Sequence, residues 1–170
     1  DDGSCNGSPI NAQDFTYSGQ SNGNHYYISN NQHNYSDAEI MCDNNFGHLV
    51  TIENQFENNA ILSFVDEKNE YDLDYSCDRS WIGLVDPVIM YGPGWSTFEW
   101  EWITGEVFYY TNWDIDEPNH PTTEHWVQMY SSIQPQSSRW GKWNNVQSDQ
   151  LTCYVLEVES SCIDDIFSGY

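Results

Sequence analysis

Apolar positions along this chain change rhythm part-way through, dividing it into a helical part and a stranded part. In "YSDAEIMCDNNFG" (35–47), Ala38, Met41, Cys42 and Asn45 recur at helical spacing. Ser36 with Glu39 three residues on forms a capping box, each side chain answering a backbone N–H that the first turn leaves open, and Gly47 supplies a stop. A first helix is predicted there. "NQFENNAILSFVDE" (54–67) repeats the design, with Asn54 and Glu57 as cap and reciprocal acid and Phe56, Ala60, Ile61 and Phe64 on one face. This predicts a second helix. Between them "GHLVTI" (47–52) has the β-branched content of a buried connector or strand, and His48 in it reads as a satisfied, partly buried histidine.

After Asp86 the period becomes two. "FEWEWITGEVFYY" (98–110) sets Phe98, Trp100 and Trp102 against Glu99 and Glu101, then turns at Thr104-Gly105. "HYYIS", "WIGLV", "HWVQMY" and "LTCYVLEV" read as further short strands, and the loops between the later ones are rich in Asn, Pro and Gly. Loops that long in a compact domain are usually functional or disordered. Residues 1–24, rich in Ser, Gly and Asn, read as an irregular arm, 25–159 as one domain, and 160–170 as a tail. The expected class is α+β: two helices with short antiparallel sheets and a long loop region.

Charge narrows the function. Four Lys and Arg against 27 Asp and Glu give a formal charge of −23, which repels nucleic acid and anionic membrane surfaces and attracts cations. Eight Trp and twelve Tyr argue for a packed core despite the polar average. No apolar run approaches a membrane span, and the opening "DDGSCNGSP" has neither the basic start nor the apolar stretch of a signal peptide. Sequons at Asn6 and Asn34 lean towards a secreted, extracellular glycoprotein. Five cysteines, at 5, 42, 77, 153 and 162, include no Cys-x-x-Cys pair, so structural disulfides are expected and their connectivity stays open. No Ser-His, Cys-His or phosphate-cradling constellation appears, and no enzyme is read.

The stretch "NWDIDEPNHPTTEHW" (112–126) gathers Asp114, Asp116, Glu117 and Glu124 with no Lys or Arg among them. Taken with "GHLVTI", "WIGL" (81–84), Trp100 and Trp102 before Gly105, and "GKWNN" (141–145), it makes the chain resemble a C-type lectin-like domain over about His25 to Glu159. The resemblance implies that the Glu-Pro-Asn loop, with a cis Pro118, meets the Trp-Asn-Asn strand around one calcium ion. The implied calcium ligands are Glu117, Asn119, Glu124, Asn144 and Asn145, hard oxygen donors of the type that ion takes. The same resemblance implies carbohydrate binding by Glu117, Asn119, Glu124 and Asn144, with Lys142 beside them, and a preference for mannose, glucose, N-acetylglucosamine and fucose.

Some positions depart from the family pattern. Asn145 stands where sugar-binding members carry Asp, which removes a carboxylate and lowers the expected calcium affinity. His120 and His125 with Glu124 admit zinc by donor type, although adjacent Glu124 and His125 point apart on a strand. Trp126 and Leu156 replace family cysteines. By the family pattern Cys42 is then a buried thiol or reaches Cys153, Cys5 and Cys162 tie the chain ends together, and Cys77 is the unpaired cysteine. Arg139 and Lys142 either neutralise Glu side chains locally or contact an acidic sugar or sulfate; Trp143 is assigned to core and Trp140 stays open. The alternative function is an acidic extracellular matrix, mineral-associated or filament-forming protein of the same fold, assembling without sugar specificity. Ice binding on this fold would need a flat, Thr-rich face, and none is legible.

Overall fold

In a computed structural model the described residues are 10–72, 76–87, 99–133 and 137–160. Two helices, α1 (Tyr35–Asp43) and α2 (Gln55–Tyr71), precede most of the strands, as the periodicity predicts. The strands are β1 (Phe15–Ser21), β2 (Asn24–Ser29), β3 (His48–Leu49), β4 (Arg79–Val85), β5 (Glu101–Trp102), β6 (Trp126–Tyr130), β7 (Trp143–Val146) and β8 (Cys153–Val158). They form one sheet in the order β1-β2-β8-β4-β6-β7, with β3 on β8 and β5 on β4. The pairings are antiparallel apart from β4 with β8, which run parallel at Ser80 to Cys153 and Trp81 to Tyr154. The fold is therefore α+β on a mixed sheet.

Both helices are capped by asparagine, but α1 starts earlier than its sequence suggests. Asn34, not Ser36, is the cap: its Oδ1 accepts from Asp37 N at 2.9 Å and its Nδ2 donates to the Asp37 carboxylate. On α2 the cap is Asn54, as expected, accepting from Glu57 N at 3.0 Å. The buried stripe of α2 differs from the predicted face. Ile61 is buried and Ala60 and Phe64 are partly buried as predicted, but Phe56 is 87% exposed, and Glu57, Asn58, Val65 and Lys68 join the inward stripe. Those polar side chains are buried because each has partners: Glu57 accepts from Tyr26 Oη and Glu53 N, and Asn58 joins Gly141 O to Trp143 Nε1.

Residues 1–24 are not irregular throughout. Phe15–Ser21 is an edge strand paired with β2, and its Gly19 lets the strand lie against α2, since a Cβ there would collide with the Phe64 ring. The cysteine expectation also changes. Cys77 is bonded to Cys153, whereas Cys42 is a buried free thiol on α1. The parallel pairing explains this: Cys77 leads into β4 just where Cys153 begins the neighbouring β8, so both sulfurs lie at the same end of adjacent strands. Cys5 and Cys162, like Phe98, lie outside the described residues.

Two apolar clusters complete the core. One holds Ile61, Val65, Trp100, Trp102, Trp143 and the disulfide; the other lies around Tyr35, Cys42, Trp81 and Leu156. Trp100 and Trp102 are buried while Glu99 and Glu101 are exposed, as the two-residue period requires. Among the described residues no helix is long and apolar enough to cross a membrane.

Candidate functional site

The polar loop is fastened to β7 before it becomes irregular. Trp143 N donates to Asn112 O at 2.9 Å and Asp114 N to Trp143 O at 2.8 Å, so residues 112–114 run beside β7 like a short extra strand. Beneath this strip Gly141 O accepts from both Asn112 Nδ2 (2.6 Å) and Asn58 Nδ2 of α2 (3.0 Å). Gly141 sits in the left-handed region (φ 71°), and a Cβ there would approach Asn58 Nδ2 to 2.9 Å. Only glycine suits both demands.

Beyond Asp114 the chain turns sharply. Glu117 N donates to Asp114 O at 3.2 Å, Asp116 and His120 adopt positive φ, and the Glu117–Pro118 bond is cis. The far side is closed by Thr123 N and Glu124 N, both donating to His120 O. Asn145, fully buried on β7, then clamps the two sides together. Its Oδ1 accepts from Asn119 N at 2.9 Å while its Nδ2 donates to Asn119 O at 2.5 Å and Glu124 O at 2.8 Å. A carboxylate at 145 could accept but could not donate, so this departure from the family pattern suits the loop it holds.

Glu117 lies at the convergence of the loop with β7. Asn119 Nδ2 donates to its Oε1 at 2.8 Å, and Asn144, with its amide nitrogen turned inward, donates to Oε1 at 2.5 Å and Oε2 at 3.1 Å. Burial, reinforced by the neighbouring Glu124 charge, pushes the Glu117 carboxyl up to about 7; Asp114 adds to the rise, while the Asn119 N–H and Arg139 oppose it. Glu124 faces His120, with Nδ1 3.3 Å from Oε2. The result is a half-buried group of hard oxygens carrying more negative charge than its surroundings neutralise. A divalent cation relieves that charge, and carboxylate and amide oxygens are the donors calcium takes, so the residues present fit that ion.

The structure brings together Glu117, Asn119, Glu124 and Asn144, together with the buried Asn145. Lys142 stands apart, in a cleft on the Asp114 side of the loop, where its Nζ donates to Asn112 Oδ1 at 2.8 Å. The histidines are divided: His120 meets Glu124, whereas His125 Nδ1 lies 3.4 Å from Asp86. Among the described residues no three His, Cys, Asp or Glu side chains form a metal cluster; the site offers the carboxylates of Glu117 and Glu124, and the Asn119 and Asn144 amides, which here turn their nitrogens to Glu117, would present their oxygens to an ion on rotation. Arg139 neutralises an acid, as one of the two sequence alternatives had it, although the partner is Asp114 rather than a glutamate; Asn112 is the residue to which the sequence assigned no role. Arg139 also lies over the Tyr130 ring, 4.1 Å from its centre.

Comparison with known proteins decides the family. Residues 31–155 match the Lectin C-type domain. The chain belongs to the C-type lectin domain family. A rat lithostathine is 26% identical over 136 residues, covering 79% of this chain and 72% of the relative. The human lithostathine structure superposes with a TM-score of 0.68 at 22% identity, over 86% of this chain and 98% of that one. The cow C-type carbohydrate-recognition domain of CD23, solved in the presence of a GlcNAc2Man3 oligosaccharide, superposes at 0.64 with 24% identity, over 91% and all of the two chains. In this C-type lectin domain the loop and β7 meet as the resemblance implies, with Asn145 engaged in holding the loop's backbone.

Proposed function

We propose that this domain is a calcium-dependent carbohydrate-binding module that acts by binding rather than catalysis and works outside the cell. The observation that carries the reading is Glu117: a half-buried carboxylate beside Glu124, approached by the amides of Asn119 and Asn144 from two distant segments. Calcium, when bound, supplies coordination positions for two adjacent sugar hydroxyls. Glu117 and Glu124 then accept hydrogen bonds from those hydroxyls, and Asn119 and Asn144 donate to their lone pairs. Asn145 keeps the loop in register for them. The Glu-Pro-Asn order supports mannose-type sugars, namely mannose, glucose, N-acetylglucosamine and fucose. The Cys77–Cys153 bridge supports an oxidising compartment.

A glycan array probed with calcium and with EDTA tests this reading. Retention on mannose-type glycans that EDTA abolishes is the expected result; a blank array under both conditions rejects it.

A second reading has one observation in its favour. Because Asn145 holds the loop by hydrogen bonds to the backbone, the same frame serves an acidic matrix, mineral-associated or filament-forming protein in which calcium has no sugar to present. Self-assembly or binding to calcium carbonate, with no glycan retained, would favour it.

A further inference from the structure

Beside the Glu117 group, on its Asp114 side, lies a cleft of about 450 Å3 lined by Trp113, Asp114, Ile115, Ser138, Arg139 and Lys142. It takes two of the four cations in a chain of formal charge −23. Asp114 is already met by Arg139, whose Nε donates to its carboxylate. Lys142 is met by a neutral group, the Asn112 side-chain carbonyl. Among the lining side chains two cations face one carboxylate, and Glu117, whose charge also acts on Arg139, borders the cleft, so Lys142 is the cation that no carboxylate of the lining meets. Its position is set by the same main-chain strip that positions the loop, since Asp114 N is bonded to Trp143 O and Asp114 O receives Glu117 N. Trp113 supplies a rigid aromatic wall, packed on Trp100 and Trp143, and Ile115 an exposed apolar rim.

A partly apolar cleft whose lysine is held by a neutral amide differs from the acidic surface around it. The net charge of the chain disfavours anions; in this cleft Lys142 and Ser138 can offer donors to one. We propose that this cleft receives an anionic substituent, a sulfate or a carboxylate, on the glycan whose hydroxyls meet the Glu117 group. The inference rests on the carbohydrate reading for its neighbour, but its own test is separate.

The test is titration of the calcium-loaded protein with methyl mannoside, its 6-sulfate, and a mannosyl-glucuronate disaccharide, at about 50 mM and about 0.5 M salt. The expected result is that at least one anionic probe binds about tenfold tighter than the neutral one at low salt, as a charge-assisted hydrogen bond gives, and loses that advantage at high salt. The ratio of anionic to neutral affinity should fall to near one in Lys142→Gln and be kept in Lys142→Arg. A gain for the sulfate alone or for the uronate alone assigns the cleft to that group. Anionic probes binding no better than the neutral one, as the net charge alone would dictate, or an advantage that survives Lys142→Gln, overturns the proposal. Failure of the carbohydrate reading looks different: the neutral mannoside then shows no calcium-dependent heat, whatever the sulfate does.

Discussion

Two pairs of glutamates in this domain occupy opposite circumstances. Glu57 and Glu157 are almost fully buried, at 3% and 2% exposure, yet their oxygens are amply supplied with donors. Glu157 accepts from Asn24 Nδ2, Tyr26 Oη, Thr51 N and Thr51 Oγ1; Glu57 shares the same Tyr26 hydroxyl and caps Glu53 N. Burial, with the two carboxylates adding, raises the pKa of Tyr26, so its hydroxyl remains a donor. Both pairs repel, but Glu117 and Glu124 are only half-buried, Glu117 being approached by the Asn119 and Asn144 amides and Glu124 by His120. The first pair is a structural knot joining α2, β2, β3 and β8. The second has an electrostatic demand that an external cation can meet. In so acidic a chain, the donors around a carboxylate, not the mere count of carboxylates, separate structural acids from binding ones.

Removing a member of the knot should have the largest effect. Glu157→Ala strands the Thr51 N–H and the Asn24 amide, and should cost about 3 kcal/mol, read as a melting temperature about 10 °C lower with or without calcium. A variant that melts like the parent would dissolve the contrast between the pairs. Glu117→Gln should behave oppositely. Without calcium its melting temperature should hold or rise slightly because a repulsion is gone, while calcium affinity falls about a hundredfold by calorimetry.

Asn145→Asp tests the clamp between these extremes. Losing both N–H donors should cost about 2 kcal/mol in EDTA, and the added carboxylate should return much of that when calcium is supplied. Melting curves in the two conditions read the difference directly.

The smallest effect is one of pH. With the Glu117 carboxyl at about 7, protons compete with calcium, so affinity should fall about tenfold from pH 8 to pH 6. Without calcium the sign reverses for stability. The native state keeps a proton that the unfolded chain releases near the ordinary carboxyl value of 4.5, so stability from this group declines as pH rises from about 4.5 to about 7. A calcium affinity flat across this range would mean that Glu117 is not a ligand.

Legibility of the fold followed local chemistry. Asn54 was readable because a cap and its first turn are neighbours in sequence, and the alternation of Trp100 and Trp102 with Glu99 and Glu101 survives intact in the structure. Ser36 misled because Asn34 and Asp37 form an equally good pair two residues upstream. Phe56 misled because an amphipathic count cannot know that Glu57 and Asn58 have buried partners far along the chain. β1 was hidden by its polar composition, which an edge strand with one neighbour tolerates. Cys77 joined Cys153 through a parallel strand pairing that no spacing announces. At the site, the Glu-Pro-Asn and Trp-Asn-Asn motifs located Glu117, Asn119 and Asn144, but the role of Asn145 as a donor appeared only with the backbone it clamps.

The attachment of the loop has a consequence for how such domains diversify. Residues 112–114 are tied by main-chain bonds to β7, and the return at Glu124 leads directly into β6, so neither anchorage depends on the side chains displayed at the tip between them. Substitutions or insertions at that tip should therefore alter the repertoire of ligands while sparing the folding of the frame. A recognition surface built on such borrowed rigidity can drift in sequence at little cost to the whole.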